Sequence, residues 1–254
     1  MPDDGWVVAP EVALFGQQVA EAVGSALETD LVGVYFVGSV ALGGYVPGES
    51  DIDIAAVSRG ALTPTQRQSV ASTVVDASAR CPARGVEFTL YSDEVAGSLP
   101  AGADFEVNAN GGPRMPTAVH LDATSESGFW YVLDRAIAHR SGLAISGPPA
   151  RGVFADVPRG TLLETMGESM AWHRAHEKAT LYSVLNACRA WRFAVDDVLG
   201  SKLEGAAWAA ARWPDTAVID AAVALRHGEQ AELDEAAVDA LLSSVAAQLR
   251  KAAD

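Results

Sequence analysis

Apolar positions along the chain change their period twice, and the changes divide it. Val12, Phe15, Val19 and Val23 recur at helical spacing and predict a helix from Pro10 to about Glu28. LVGVYFV at 31–37 is a β-branched and aromatic run between turn residues, which reads as a buried strand. A loop carrying Gly38-Ser39, Gly43-Gly44, Pro47-Gly48 and Ser50 leads into a second strand, DIDIAAV at 51–57. The pattern then predicts a helix over 63–79, with Thr63 as its cap and Pro64 in the first turn. VEFTLY at 86–91 alternates as a third strand, and DFEVNAN at 104–110 fits an edge strand. Beyond Ser127 the pattern is helical and stays so. FWYVLDRAIAHRSG is followed by a break at Gly147-Pro148-Pro149, and from Asp156 onward come four or five amphipathic segments, separated by Gly200-Ser201, Pro214-Asp215 and Gly228-Glu229. The expectation is an α+β domain over 1–150, a small mixed sheet with flanking helices, followed by an all-α helical bundle over 151–254.

Composition narrows the class. In 254 residues, 49% hydrophobic and 20% charged, there is ample material for a core and none of the bias of a disordered or collagenous chain. No apolar run approaches the roughly 20 residues of a bilayer span, and MPDDGWVV is acidic where a signal peptide is basic, so a cytoplasmic chain off the membrane is expected. Cys81 and Cys188 are far apart, without the spacing of a disulfide framework or a zinc site, and read as buried thiols. Charge is uneven. Residues 1–150 hold 7 basic and 18 acidic residues, net −11, with no lysine; residues 151–254 hold 11 and 15, net −4. Such a surface repels nucleic acid and attracts a cationic small molecule.

The chemistry concentrates in Gly38-Ser39, eleven intervening residues, and Asp51-Ile52-Asp53. Side chains alternate along a strand, so Asp51 and Asp53 share a face, separated by about 7 Å of rise. Paired carboxylates repel unless a cation lies between them, and hard oxygen ligands suit magnesium. A Gly-Ser turn allows backbone N–H groups to approach phosphate oxygens, which makes the loop a candidate phosphate cradle. Glu87, in the third strand, supplies a further carboxylate, as metal ligand or as general base toward a hydroxyl. Neither a GxxxxGK[ST] loop nor a GxGxxG after a strand is present. His173, His176 and Glu177 (HRAHE) lack the HExxH order, and the histidines read as residues of a solvated helical face. Trp172, Trp191, Trp208 and Trp213 read as bundle packing, with Trp172 also placed to stack on an acceptor ring. Asp134 is a further candidate contact.

GSVALGGYVPGESDID resembles the GS-x(9–13)-[DE]-x-[DE] signature of the polymerase-β-like nucleotidyltransferase superfamily. VLNACRAW at 184–191 and GSKLEGAAWA at 200–209 resemble the C-terminal helical domain of bacterial streptomycin/spectinomycin adenylyltransferases. The resemblance implies an ATP- and magnesium-dependent adenylyltransferase acting on a hydroxyl of a cationic, aminoglycoside-like acceptor. It implies two Mg²⁺ ions on Asp51 and Asp53, Glu87 as base, Gly38, Ser39 and Ser50 near the triphosphate or ribose, and Arg189 and Lys202 on the phosphates. A monomer is expected. The acceptor candidates are Trp172, Glu177, Asp134 and Asn108. The chain departs from the family at three places: an aromatic position falls in the Asn108-Ala109-Asn110-Gly111-Gly112 loop, an acidic one at Ala179, and a tyrosine in Leu225-Arg226-His227. Two alternatives keep the fold: a different metabolite or protein acceptor, and a catalytically silent nucleotide-binding module.

Overall fold

The computed structural model describes residues 8–99, 102–177 and 179–253, and these fall into two compact units that divide after Asp156. In the first unit the order is α1 (Pro10–Leu27), β1 (Leu31–Phe36), α2 (Gly38–Ala41), β2 (Ile52–Ser58), α3 (Pro64–Ser78), β3 (Val86–Ser92), α4 (Asp93–Ala96), β4 (Val107–Gly112), β5 (Met115–His120), α5 (Gly128–Ser141) and β6 (Leu143–Ser146). The strands form one mixed sheet in the order β5-β4-β3-β2-β1-β6. Only β2 and β3 run parallel, joined by α3 as the crossover that a parallel pair requires.

Alternation gives the sheet two distinct faces. Val34 and Phe36, Ile52, Ile54 and Ala56, Phe88 and Leu90, and Val107 and Ala109 point to one side, where they pack with Val12, Phe15, Val19 and Val23 of α1 and Val70 and Val74 of α3. α3 starts where the sequence signals it: Thr63 accepts from the Gln66 N–H while the Gln66 side chain accepts from the Thr63 N–H. On the other face, Phe154 meets Tyr35 and Tyr91 edge-on, with ring centroids 5.5 and 6.4 Å away. Asp53 and Glu87 belong to that same face, at the beginning of β2 and β3.

Four features differ from the sequence reading. Gly38-Ser39 opens a single helical turn, α2, instead of continuing an open loop. Asn108–Gly112 is not a loop but most of β4, and β4 is not an edge: it lies between β3 and β5. Its Asn- and Gly-rich sequence hides a strand whose amides bond laterally, Asn108 Nδ2 to Thr89 Oγ1 at 3.1 Å and Asn110 Nδ2 to Asn108 Oδ1 at 3.1 Å. β5 and β6 were not foreseen. β5 is an edge strand with no fully buried residue and so carries no buried apolar period, and β6 has only four residues, too few for its alternation of Leu143 and Ile145 to stand out.

The second unit comprises α6 (Arg159–His176), α7 (Leu181–Asp196), α8 (Lys202–Ala210), α9 (Ala217–Arg226) and α10 (Glu235–Ala253), with no strand among its described residues. α7 packs against all four of the others. Capping boxes start α7 at Thr180 and α8 at Ser201. Gly205 allows α8 to touch α7 at main-chain distance: a Cβ there would lie 2.8 Å from the Arg189 N and Cα. Cys81 and Cys188 are both buried free thiols. No helix among the described residues is long and apolar enough to cross a membrane.

Candidate active site

β2 and β3 bring two of the candidate acids together. Asp53 and Glu87 are direct partners in the parallel register, so their side chains leave the same face of strands that lie about 4.8 Å apart. Asp51 lies one residue before β2. Side-by-side carboxylates are destabilising without a compensating charge, and the arrangement persists because a main-chain ladder enforces it.

The Gly38-Ser39 turn closes over Asp53. The Ser39 N–H donates to Asp53 Oδ2 at 3.2 Å, and the Val37 N–H donates to the Asp53 carbonyl at 3.0 Å. Gly38 has φ of +53°, in the left-handed region, and a Cβ at this position would overlap the Asp53 carboxylate. Both conditions demand glycine. The Ser39 hydroxyl is buried with no hydrogen-bond partner among the described residues. An orphaned hydroxyl beside an oriented carboxylate can take a hydrogen bond from water or from a ligand. Ser50 is different: it is fully buried, and its hydroxyl accepts from the Val46 N–H at 2.9 Å, tying the turn that precedes Asp51.

α5 contributes a second layer. Burial raises the Tyr131 hydroxyl pKa, and the negative charges of Glu126, Asp134 and Glu87 raise it further, which keeps the phenol protonated beside the acids. Tyr131 was not foreseen, although it lies three residues before Asp134 on the same helix and so shares its face. Asn108, offered as an acceptor contact, is 7% exposed and engaged within the sheet. Among the described residues, no group of three or more His, Cys, Asp or Glu side chains is gathered in a way that could hold a metal ion on its own.

In the helical unit, Arg189 on α7 and Lys202 on α8 lie close enough to the His173 ring for both charges to act on it. Lys202 Nζ sits 4.9 Å from the centroid of the Tyr182 ring. Glu177, just past α6, accepts from His173 Nδ1 at 2.9 Å and from Thr180 Oγ1 at 3.3 Å. His173 is therefore no solvated residue: it is 1% exposed, and burial lowers its pKa. Trp172 meets His176 in a stacked arrangement at 5.1 Å. Trp191 meets Trp208 and Trp213 edge-on at 5.2 and 6.1 Å.

Comparison with known proteins supplies the context for these geometries. The family model of the aminoglycoside adenylyltransferase C-terminal domain matches residues 152–251. Proteins named aminoglycoside (3'') (9) adenylyltransferase, from Klebsiella pneumoniae and from Escherichia coli, are each 27% identical over 215 residues, covering 80% of this chain and 81% of theirs. Residues 152–251 thus match the C-terminal domain of aminoglycoside adenylyltransferases, and the likeness to the named relatives extends over most of the chain.

The likeness in fold runs through both units. A spectinomycin adenyltransferase from Enterococcus faecialis, whose crystal structure holds ATP and spectinomycin, superposes with a TM-score of 0.69 over 91% of this chain and 96% of that one, at 16% identity. An N-terminal domain of nucleotidyltransferase fold followed by a helical domain is thus the architecture of this chain. Asn186, Tyr131 and Tyr182 were missed in the sequence, and His173 was read there as a solvated residue. The available signals were the i, i+4 spacing of His173 with Glu177 and the i, i+3 spacing of Asn186 with Arg189, but spacing alone did not separate buried partners from a solvated face.

Proposed function

We propose that this protein transfers AMP from ATP to a hydroxyl of an aminoglycoside-type antibiotic and releases pyrophosphate. The observation that carries the reading is the Asp53–Glu87 register pair under the Gly38-Ser39 turn, in a chain aligned over most of its length with aminoglycoside (3'') (9) adenylyltransferases. The acceptor oxygen forms a bond to the α-phosphorus, the bond from that phosphorus to the bridging oxygen of the β-phosphate breaks, and pyrophosphate leaves with the electron pair. Glu87, exposed at the sheet surface, takes the hydroxyl proton and passes it to solvent. The Ser39 hydroxyl and the Gly38-Ser39 main chain contact the triphosphate. Tyr131, held protonated, is available as a donor.

The donor set fits magnesium. Carboxylate oxygens on Asp51 and Asp53 are hard ligands, and Mg²⁺ is commonly held by one or two carboxylates together with substrate phosphates, so a three-residue protein cage is not needed. Bound there, the metal would supply charge neutralisation at the phosphates. Arg189 and Lys202 are assigned to the triphosphate, where Arg offers a forked donor and Lys a point charge. The net charge of −15 favours a polycationic acceptor.

The test is pyrophosphate release with Mg-ATP against streptomycin, spectinomycin and other aminoglycosides, with product masses recorded. The expected result is a mass gain of one AMP on at least one drug. Mg-ATP binding with no adduct on any drug would move the assignment to another acceptor. That second reading draws on Asn108, whose side chain is committed to the sheet at a position where the family carries an aromatic.

A further inference from the structure

Four polar side chains of the helical unit form a continuous chain: Arg189 Nη2 to Asn186 Oδ1 at 3.3 Å, Asn186 Nδ2 to His173 Nε2 at 3.0 Å, and His173 Nδ1 to Glu177 Oε2 at 2.9 Å. Its direction follows from chemistry. A guanidinium has donors only, so the Asn186 oxygen must face Arg189 and the amide NH₂ must face His173. The ring nitrogen receiving that NH₂ must be bare, so the imidazole proton sits on Nδ1 and is donated to the Glu177 carboxylate. Every link agrees with its neighbours, and the middle of the chain is dry, with Asn186 6% and His173 1% exposed.

We propose that His173 and Asn186 are positioning residues that orient Arg189 for the triphosphate, with Glu177 as the anchor of the chain. The inference rests on the assignment of Arg189 to ATP made above. Arg189 is a long side chain on α7, and an acceptor three residues before it on the same helix face fixes one arm of its fork and so sets the direction in which the guanidinium meets phosphate oxygens. Asn186 can hold that acceptor toward Arg189 only while its NH₂ is satisfied on the other side. His173 satisfies it only while Glu177 keeps the proton on Nδ1. Removing any link frees the amide to rotate, which would present NH₂ to the guanidinium, donor against donor. The alternative is that the chain does no more than fasten α6 to α7.

The two roles separate in a double-mutant cycle read by calorimetric titration of Mg-ATP into the full-length protein. Arg189→Ala, Asn186→Leu and the double variant are compared with the unaltered chain. The positioning role predicts that Asn186→Leu weakens Mg-ATP binding by about tenfold, a coupling in the range measured for side chains in one network. It also predicts that Asn186→Leu adds less than about twofold once Arg189 is already alanine. A second pair covers the case in which Asn186→Leu does not fold. His173→Gln retains an amide donor for Glu177 and an acceptor for Asn186 and should bind Mg-ATP within about twofold of the unaltered chain, whereas His173→Phe should lose about as much as Asn186→Leu. Equal losses from Asn186→Leu with and without Arg189, or equal binding by His173→Gln and His173→Phe, would overturn the positioning role. Unchanged binding in Arg189→Ala would instead overturn the assignment of Arg189 to ATP.

Discussion

Asp53 and Glu87 are held by a parallel ladder that stays in register from Ile52↔Val86 to Ser58↔Ser92, whereas Arg189 is held through the side chains of Asn186, His173 and Glu177. In the sheet, main-chain hydrogen bonds set which carboxylates are neighbours, so the geometry does not depend on the acids themselves. In the helical unit, the geometry of the cation depends on side chains that bond one another across two helices. The acids should therefore be removable without harm to the fold, and the cation should be disturbed by changes that never touch it.

The sharpest expression of that contrast is the loss of the acids. Asp53→Asn and Glu87→Gln keep shape and remove charge, and both should leave the melting temperature within a few degrees of the unaltered chain. Turnover should fall by about 10²–10⁴-fold for Glu87→Gln, the range of a general base, and at least as far for Asp53→Asn. Steady-state pyrophosphate release together with thermal melts checks this. Retained turnover in either variant would end the role of that residue, and a collapsed melting temperature would show that the ladder does not hold its geometry independently.

Two glycines carry the comparison to the backbone. Gly38→Ala forces a residue with φ of +53° to bear a Cβ that overlaps the Asp53 carboxylate. The strain costs about 1–3 kcal/mol, and displacement of the carboxylate should lower turnover by more than the melting temperature suggests. Gly205→Ala places a Cβ 2.8 Å from the Arg189 main chain and must push α8 away from α7. Overpacking of this kind costs about 1–3 kcal/mol, and it should weaken Mg-ATP binding in proportion to the loss of stability, since Lys202 and Arg189 ride on the two helices that separate. If Gly38→Ala lost only stability, the turn would be a structural feature and not a cradle.

What the sequence shows and hides follows the same division. The shared sheet face of Asp53 and Glu87 beside the Gly38-Ser39 turn was legible because strand alternation and a turn at a fixed distance are local patterns. Thr63, Thr180 and Ser201 begin helices through contacts within four residues, equally local. Asn108 and Asn110 misled because an amide that serves a loop also serves a strand when a neighbour such as Thr89 accepts its bond. β5 was invisible because an edge strand with exposed residues has no apolar period, and β6 because the alternation of Leu143 and Ile145 spans only four residues. His173 was read as solvated because its burial depends on Asn186, thirteen residues away on another helix, and no pattern within one helix reports that.

His173 also makes the contrast testable by pH. Burial lowers its pKa below the ordinary value of 6.5, Arg189 and Lys202 lower it further, and Glu177 opposes them. Above 6.5 the ring is neutral in both folded and unfolded chains and contributes no pH dependence. Below it, the unfolded chain takes up the proton while the folded chain still resists, so stability falls as pH drops until the folded pKa is reached. Melting temperatures taken downward from pH 7.5 should therefore fall more steeply in the unaltered chain than in His173→Gln, which cannot titrate there. Parallel curves would mean that the ring is protonated as readily when folded as when unfolded.

The smallest effect belongs to the sheet unit and tests its indifference to side-chain hydrogen bonds. Tyr35 is fully buried on the face shared with Asp53, and among the described residues its hydroxyl has no hydrogen-bond partner, as is also true of Tyr91. Burial alone raises the Tyr35 pKa. The ring is held instead by its edge-on contact with Phe154 at 5.5 Å. Removing an unpartnered buried hydroxyl removes a desolvation cost of about 1–3 kcal/mol while keeping the ring, so Tyr35→Phe should raise the melting temperature slightly and leave turnover unchanged. In the helical unit the corresponding deletion, Asn186→Leu, strips partners from two neighbours and should act in the opposite direction. A stability loss in Tyr35→Phe would mean that this hydroxyl is satisfied in solution, and that the sheet unit too relies on side-chain bonds.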